Sequence, residues 1–383
     1  MLKRNCYYFL TIIHENTNTR RMKHFSFLSN PSWLRILIIF LIGIIIALSW
    51  GCENTFGTNA KRDKYLQPFL ATSIWNMPIG SDALYVEANI GKSKKATADE
   101  EYFFQLKDTY PYRAVYAPGA WGEGRCTGTK YMDIHIPIPD NLIIPDATTK
   151  PFSTPNNASA FLLPDGRTLV QLSPLARCEQ GGPVYGWRHE NVDIYGEGIG
   201  GAHFGSGLSS IGGSIRKGEL TNDKPIPHAL KVVIWAEKYL FYDDRIRGYR
   251  WPATQADNYA AERYGGSNPA LVQGSLLAIL PETTKESLKL ETPAGKKLFD
   301  ALQNYGAYVV EDSSWDAHYF GVEKGVLEEF RQKYGYDFET RSGKFYNDFM
   351  KLFEALYIVD NNSRNSIGGG GTPRAELAPP IGN

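Results

Sequence analysis

A glycine-rich segment between Tyr195 and Arg216 constrains the fold of this chain more than any other feature. It reads YGEGIGGAHFGSGLSSIGGSIR, with a glycine every two or three residues around a single histidine, His203. Glycine weakens helices and strand interiors, so such a run occurs mainly where the backbone turns at positive φ or approaches a ligand closely. We predict that the segment forms the floor of a binding site with His203 as its ionisable group. Tight turns in a β-rich fold, with His203 merely hydrogen-bonded, are the alternative.

The first 52 residues have the pattern of a bacterial export signal. An uncharged apolar run from Ile36 to Trp50 follows basic residues and, at about 15 residues, is shorter than a membrane-spanning helix. Gly51 before Cys52 loosely resembles a lipobox, which predicts lipidation of Cys52 and attachment to a membrane of the cell envelope. Met22 offers a conventional start. An uncleaved anchor and simple secretion are the alternatives, and each places the rest of the chain outside the cytoplasm.

The remaining sequence predicts a short tether over residues 53–64 and one large catalytic domain over residues 65–383. Cysteine usage agrees with export. If Cys52 carries a lipid, Cys126 and Cys178 are the only pair left in the mature chain. Two cysteines in an oxidising compartment favour a disulfide, which we predict here.

The net charge and the aromatic content of the chain indicate which classes of partner it could bind. The 41 basic and 41 acidic residues give a net charge of zero, which provides no electrostatic case for binding nucleic acid. Aromatic residues make up 13% of the chain. Exported proteins that handle sugars often expose such rings, because an aromatic ring can stack on a pyranose face. Ordinary use of aromatic residues in a β-rich core is the alternative.

Periodicity predicts a β-rich α+β fold, with a single large domain, a β-sandwich-like core and three C-terminal helices. Short alternating runs separated by turn signals predict strands over residues 112–194, and the Val-Val-Ile-Trp centre of residues 228–242 favours a further strand. Apolar spacing of three to four residues predicts helices over 293–305, 323–334 and 344–356. Thr292 and Pro293 form a cap and first-turn pair for the first of them.

Several sequence blocks resemble a family of secreted bacterial proteins that is largely uncharacterised. The blocks are SIWNMPIG, AHFGSGLSSIGGSIRKGEL, IPHALKV, GYRWPATQAD, LQNYGAYVVEDSSWD and VDNNSRNSIGGGGTPRAELAPP, and they span almost the whole mature chain. The resemblance implies a relation to an oligosaccharide dehydratase that acts on ulvan and, like a lyase, forms an unsaturated uronate. The family assigns no residue roles that carry over to this chain.

Elimination from a uronic acid requires a base for the proton at carbon 5 and an acid for the oxygen that leaves carbon 4. Histidine and tyrosine suit these proton transfers. We therefore predict His203 as the base and Tyr249 as the acid, with His228 able to replace either. His228 follows Pro227, so fixing a turn is its alternative role.

The same reaction requires a group that neutralises the substrate carboxylate. An arginine fork suits this task, so Arg216 or Arg250 is predicted to bind the carboxylate, with Trp251 as a stacking platform. Structural roles for both arginines and a core position for Trp251 are the alternatives. No cofactor and no metal are predicted.

The sequence thus predicts an exported carbon-oxygen lyase that acts by β-elimination on acidic oligosaccharides such as ulvan fragments. Two other functions remain open. The first is a glycoside hydrolase with paired carboxylates, for example Glu197 with Asp312 or Asp316. The second is a non-catalytic glycan-binding lipoprotein.

Overall fold

A computed structural model describes residues 61–146 and 155–382. The predicted leader, the lipidation site Cys52 and most of the tether lie outside the described residues. None of the helices in the described part combines the length and the apolar character needed to cross a bilayer.

The described chain contains thirteen strands and five α-helices, most of the helices lying near the C-terminus. The strands are β1 (Tyr85–Glu87), β2 (Ala96–Gln105), β3 (Tyr112–Tyr116), β4 (Tyr131–Pro137), β5 (Ser159–Leu162), β6 (Thr168–Ala176), β7 (Val184–Arg188), β8 (Val192–Asp193), β9 (Leu230–Ile234), β10 (Leu276–Ile279), β11 (Ala307–Asp312), β12 (His318–Glu323) and β13 (Leu356–Val359). The helices are α1 (Ala236–Tyr239), α2 (Ala260–Arg263), α3 (Pro293–Asn304), α4 (Val326–Tyr334) and α5 (Gly343–Glu354). The predicted β-rich α+β class is confirmed.

Hydrogen bonds join these strands into one mixed sheet. Its order is β1-β13-β10-β11-β9-β12-β2-β5-β6-β7-β3-β4, and β8 pairs with β6 off this path. Strand β9 lies near the middle, parallel to β11 and antiparallel to β12. All five of its residues are buried, as expected for a strand covered on both faces. The strand predicted over 228–242 is therefore confirmed at Leu230–Ile234, but the chain then turns into α1.

The three predicted C-terminal helices are confirmed as α3, α4 and α5. Helix α3 begins as its sequence predicts, because the Thr292 hydroxyl accepts a hydrogen bond of 3.1 Å from the Gly295 N–H. The carboxylate of Asp348 on α5 accepts the Thr292 N–H at 2.7 Å and so ties the two helices together. Phe349 and Phe353 of α5 pack against Phe320 of β12 in the largest core cluster, and Phe330 of α4 packs against Phe345 of α5.

The predicted disulfide between Cys126 and Cys178 is confirmed, with the two Cα atoms 6.2 Å apart. It links a short 3-10 turn at Arg125–Thr127 to the residues that follow β6. The loop that precedes this turn carries Trp121. The bond therefore fixes the base of a loop whose tip reaches the cavity described below.

The glycine-rich segment runs through the interior as turns, with no helix or regular strand between residues 195 and 216. Two of its glycines show why the residue type is required. Gly198 has φ 66°, and a Cβ there would lie 2.2 Å from the ring of Phe69. Gly213 has φ 75°, and a Cβ there would lie 2.5 Å from the ring of Trp75. Bare backbone packs against aromatic rings at these points.

Candidate functional site

One cavity of about 590 Å³ opens on the described surface and combines aromatic walls with an acidic floor. Its volume lies in the range of about 300–1000 Å³ that is typical of ligand sites. It is lined by Trp121, Asn156, Trp187, Phe204, Gln255, Ala256, Asp257, Asn258, Tyr259, Glu311, Asp312 and Ser314. The described lining contains three carboxylates and no lysine, arginine or histidine.

The walls come from three separate parts of the chain. Trp121 belongs to the loop anchored by the disulfide, Trp187 to β7 and Phe204 to the glycine-rich segment. Trp121 and Phe204 meet edge to face with ring centroids 5.7 Å apart. Both tryptophans remain partly open to solvent, at 44% for Trp121 and 37% for Trp187. Such rings offer apolar faces to a ligand that enters from solvent.

Asp257 is the acid that the loop before α2 contributes to the floor. Its Oδ2 accepts hydrogen bonds from the Tyr264 hydroxyl at 2.5 Å and from Gln273 Nε2 at 3.3 Å. Burial raises its pKa, and the nearby charge of Asp312 raises it further, while the bond from Tyr264 opposes the shift. The two donors thus orient Asp257. They also favour its charged form, which burial disfavours.

Glu311 and Asp312 enter the floor together at the end of β11. Asp312 is held by the backbone N–H of Ala236 at 2.9 Å and by the Tyr259 hydroxyl at 3.2 Å. Glu311 Oε2 accepts the backbone N–H of Gly205 at 3.0 Å. Burial raises the pKa of Glu311, and the charge of Asp257 adds to the shift. Glu311 therefore has the properties of a carboxylic acid that keeps its proton to higher pH than an exposed glutamate.

Close packing around Gly205 links Glu311 to Asp257, the two acids of the cavity whose pKa is raised. A Cβ at Gly205 would lie 2.7 Å from Glu311 Oε2 and 3.0 Å from Gln273 Nε2. Gln273 in turn donates to Asp257. A side chain at this position would force the Glu311 carboxylate to shift, because this carboxylate and the Gln273 amide face the same small gap.

A sealed network of charged groups lies behind Glu311. His203 Nδ1 is 3.3 Å from Glu311 Oε1, and His203 Nε2 is 2.9 Å from Lys231 Nζ. Lys231 Nζ also lies 2.7 Å from Glu101 Oε1. His203 is 1% exposed, and Lys231 and Glu101 are fully buried. The network joins β2, β9 and β11 through the glycine-rich segment.

Groups of opposite preference lie near Nε2 of His203. An ammonium group can only donate, so Lys231 favours the tautomer with its proton on Nδ1, whereas Glu101 Oε1, also 2.9 Å from Nε2, favours a proton on Nε2. Burial lowers the pKa of His203 to about 4, and the charge of Lys231 adds to the shift. Burial also lowers the pKa of Lys231 and raises that of Glu101 to about 7, while their ion pair opposes both shifts.

Asp99, Glu101 and His203 each offer a possible metal ligand, and these atoms lie within 4.8 Å of one another. Lys231 Nζ contacts two of the three residues directly, Glu101 Oε1 and His203 Nε2. A positive charge is therefore already built into this cluster. A metal ion there would have to displace a fully buried ammonium group, so the residues do not fit a cation site.

The structure brings His203 next to the cavity but does not expose it. The histidine was predicted to be presented in the site, whereas its ring is buried and reaches the cavity only through Glu311. The expected set of His203 beside an arginine and Tyr249 is not assembled. The hydrogen-bond and ion-pair partners of the His203 ring are Glu311, Lys231 and Glu101.

Arg216 and His228 are not available to a substrate. Arg216 is 1% exposed, its Nε bonds Glu323 at 3.0 Å, and its guanidinium lies over the rings of Tyr65 and Phe103. His228 is 4% exposed and bonds the carboxylate of Glu219 at 3.1 Å. Arg216 therefore has the structural role that was its alternative, and His228 is a buried partner of Glu219.

Tyr249, Arg250 and Trp251 form a separate group outside the described lining of the cavity. Arg250 bonds Asp360 at 2.9 Å. The backbone at Tyr249 bridges to Gln273, and Trp251 packs against a core cluster. These contacts agree with the structural alternatives for Arg250 and Trp251.

Among the carboxylates considered for a hydrolase, Asp312 lies in the cavity floor, whereas Asp316 pairs with Lys94 at 3.6 Å. Glu197 is not part of the described lining. Sequence reasoning missed Glu311, Asp257 and Lys231. A signal existed for two of them: Glu311 ends an apolar strand, and Lys231 is the one charged residue within the buried strand LKVVI.

Comparisons with protein-family models, with curated proteins and with solved structures found no match to this chain.

Proposed function

We propose that this protein is a carbohydrate-active enzyme that hydrolyses a glycosidic bond, with Glu311 as general acid and Asp257 as the second carboxylate. The pairing of buried Glu311 with half-buried Asp257, two acids that interact in a cavity with aromatic walls, supports this proposal most strongly. Glycoside hydrolysis requires two such carboxylates on either side of the scissile bond. The interaction between the two carboxylates makes one hold its proton more tightly than the other. One can then act as the acid and the other as the base.

The walls support a glycan as the ligand. Trp121, Trp187 and Phe204 offer apolar ring surfaces, and the carboxylates of Asp257, Glu311 and Asp312 can accept hydrogen bonds from sugar hydroxyls. Pyranose rings combine apolar faces with hydroxyl edges, which matches this division of the lining.

In the proposed reaction, protonated Glu311 donates its proton to the oxygen of the leaving sugar as the bond from that oxygen to the anomeric carbon breaks. Asp257, oriented by Tyr264 and Gln273, acts as a carboxylate on the anomeric side. One water is consumed. Its hydroxyl ends on the anomeric carbon, and its remaining proton restores the acid of Glu311. His203 keeps Glu311 oriented through the contact of its Nδ1 with Glu311 Oε1.

β-Elimination on an acidic oligosaccharide is the second candidate, and the same cavity would hold the substrate. That reaction requires a cation facing the substrate carboxylate. The described lining has none, and its three acids would repel a uronate. Hydrolysis of a neutral glycan is therefore favoured by the charge of the floor.

The test is incubation with neutral and uronate-containing oligosaccharides while reducing ends and the absorbance of a conjugated double bond are followed together. Reducing ends without new absorbance are expected, and they should vanish in the variants Glu311→Gln and Asp257→Asn. New absorbance would identify elimination instead. Binding without either product would identify a glycan-binding lipoprotein.

We also propose that the protein works outside the cytoplasm, anchored through lipidated Cys52. The disulfide supports this, because such bonds persist in oxidising compartments. Metabolic labelling with a fatty-acid analogue, compared between the full-length chain and a Cys52→Ala variant, tests the anchor.

A further inference from the structure

The exposed aromatic residues of the described chain are concentrated on one surface. Four large aromatic side chains are exposed there: Tyr112 at 54%, Trp121 at 44%, Tyr131 at 39% and Trp187 at 37%. The other exposed large apolar residues of the described part are aliphatic. Trp121 and Trp187 line the cavity, and Tyr112 and Tyr131 belong to β3 and β4. Concentrated exposure of this kind marks an interaction surface.

The register of the sheet places the rings of Tyr116 and Tyr185 in one row with the exposed Tyr131. Tyr116 of β3 stands opposite Tyr131 of β4 and opposite Tyr185 of β7. The ring centroids are 6.0 Å apart for Tyr116 and Tyr131, and 6.2 Å apart for Tyr116 and Tyr185. Trp187 follows two residues after Tyr185, so both side chains leave the same face of β7. We call the five residues Tyr112, Tyr116, Tyr131, Tyr185 and Trp187 the tyrosine face.

The tyrosine face is the solvent side of a sheet whose other side is core. Val115, Ile136 and Val184 from the same three strands are fully buried in one apolar cluster. Polar groups also accompany the exposed rings. The Tyr131 hydroxyl bonds His135 Nδ1 at 2.9 Å, and Lys130 Nζ lies 5.5 Å from the centre of the Trp187 ring. The surface is thus amphipathic rather than purely apolar.

We propose that the tyrosine face binds the part of a glycan chain that extends out of the cavity. Continuity identifies the occupant, because Trp187 belongs both to the cavity wall and to the end of the ring row. A chain held at the floor of the cavity and passing Trp187 meets Tyr185, Tyr116 and Tyr131 in turn. Rings with hydroxyl edges stack on sugars while bonding their hydroxyls. The proposal rests on the proposed function for the identity of the ligand.

The test is affinity gel electrophoresis of the full chain through gels that contain xylan, a neutral polysaccharide, or alginate, a carboxylated one. We expect retardation of the unmodified protein in at least one gel. The variant carrying both Tyr116→Ala and Tyr131→Ala should bind about tenfold more weakly, and its KM for the polymer should rise by a similar factor. The matched control is Leu84→Ala. Leu84 directly precedes β1 and is 63% exposed, and its replacement should change neither the affinity for the polysaccharide nor the KM.

Binding and turnover separate this proposal from the proposed function. If the protein binds a polysaccharide and the tyrosine variant loses binding, the tyrosine face stands even when no bond is cleaved. If neither polysaccharide retards the unmodified protein, or if the variant binds as well as the unmodified protein, the proposal is overturned. Circular dichroism verifies that the variant is folded. A dimer in light scattering that the variant abolishes would assign the face to a second copy of the chain and would also overturn it.

Discussion

Lys231 Nζ lies 2.9 Å from His203 Nε2, and neither side chain reaches solvent. The same ammonium group contacts Glu101 at 2.7 Å. One lysine thus neutralises a buried glutamate and contacts the histidine that lies against Glu311. The fold carries its charged network in the middle of the sheet, directly behind the cavity floor.

Replacing Lys231 tests this network. Lys231→Met should lower the free energy of unfolding by about 3 kcal/mol, because it leaves Glu101 buried without its partner. Adding Glu101→Gln should recover much of that loss, since the uncompensated charge is then removed as well. Urea denaturation of the two single variants and the double variant measures the coupling. Additive losses would contradict the ion pair.

Glu311→Gln should reduce kcat by at least about 100-fold, because an amide cannot protonate the leaving oxygen. Its oxygen can still accept the Gly205 N–H. Substrates with a good leaving group should be affected much less, since they need no proton. Initial rates on an aryl glycoside and on an unactivated oligosaccharide give this comparison. Equal losses on both would remove Glu311 from the role of general acid.

The pH profile of the proposed activity in the unmodified protein provides a related test. Because burial raises the pKa of Glu311, the protonated form persists above the range of an exposed glutamate and is lost as pH rises through the raised value. We therefore expect kcat/KM to fall on the alkaline side near neutrality. The residual activity of Glu311→Gln should lack that limb. An alkaline limb that survives in the variant would assign it to another group.

Gly205→Ala should lower activity by about tenfold and stability by about 1–2 kcal/mol, because the new methyl group would lie 2.7 Å from Glu311 Oε2 and force the acid to shift. Gly200→Ala is a matched control in the same segment, where a Cβ would meet nothing within 4 Å. Turnover and thermal unfolding of the pair give the comparison. Equal behaviour of the two variants would argue against close packing at Gly205.

Asp99→Asn should make stability less dependent on pH. Burial raises the pKa of Asp99 from 3.8 to about 7, so the folded state binds more protons than the unfolded state between these values. This contribution to stability is present at low pH and is lost as pH rises through about 7. The variant should therefore gain roughly 1–3 kcal/mol relative to the unmodified protein between pH 4 and pH 8. Denaturation at several pH values, with exposed Asp108→Asn as control, tests this; a constant difference would contradict it.

Local patterns were sufficient for much of the fold. Helices α3 to α5, the strand at Leu230–Ile234 and the cysteine pair follow from spacing, residue type, capping residues and compartment. The site was harder, because it depends on which residues meet across the sheet. His203 was found from its glycine context, but its burial depends on β2, β9 and β11 closing around it. Arg216 looked free because no local signal reveals that Tyr65 and Phe103 cover its guanidinium.

The disulfide between Cys126 and Cys178 closes a stretch of chain with a sequence separation of 52 residues, and the loop that carries Trp121 emerges from its base. The bond therefore holds one wall of the cavity in place before any ligand binds. A ligand would then meet a recess that is already shaped, and little of its affinity would be lost to ordering that loop.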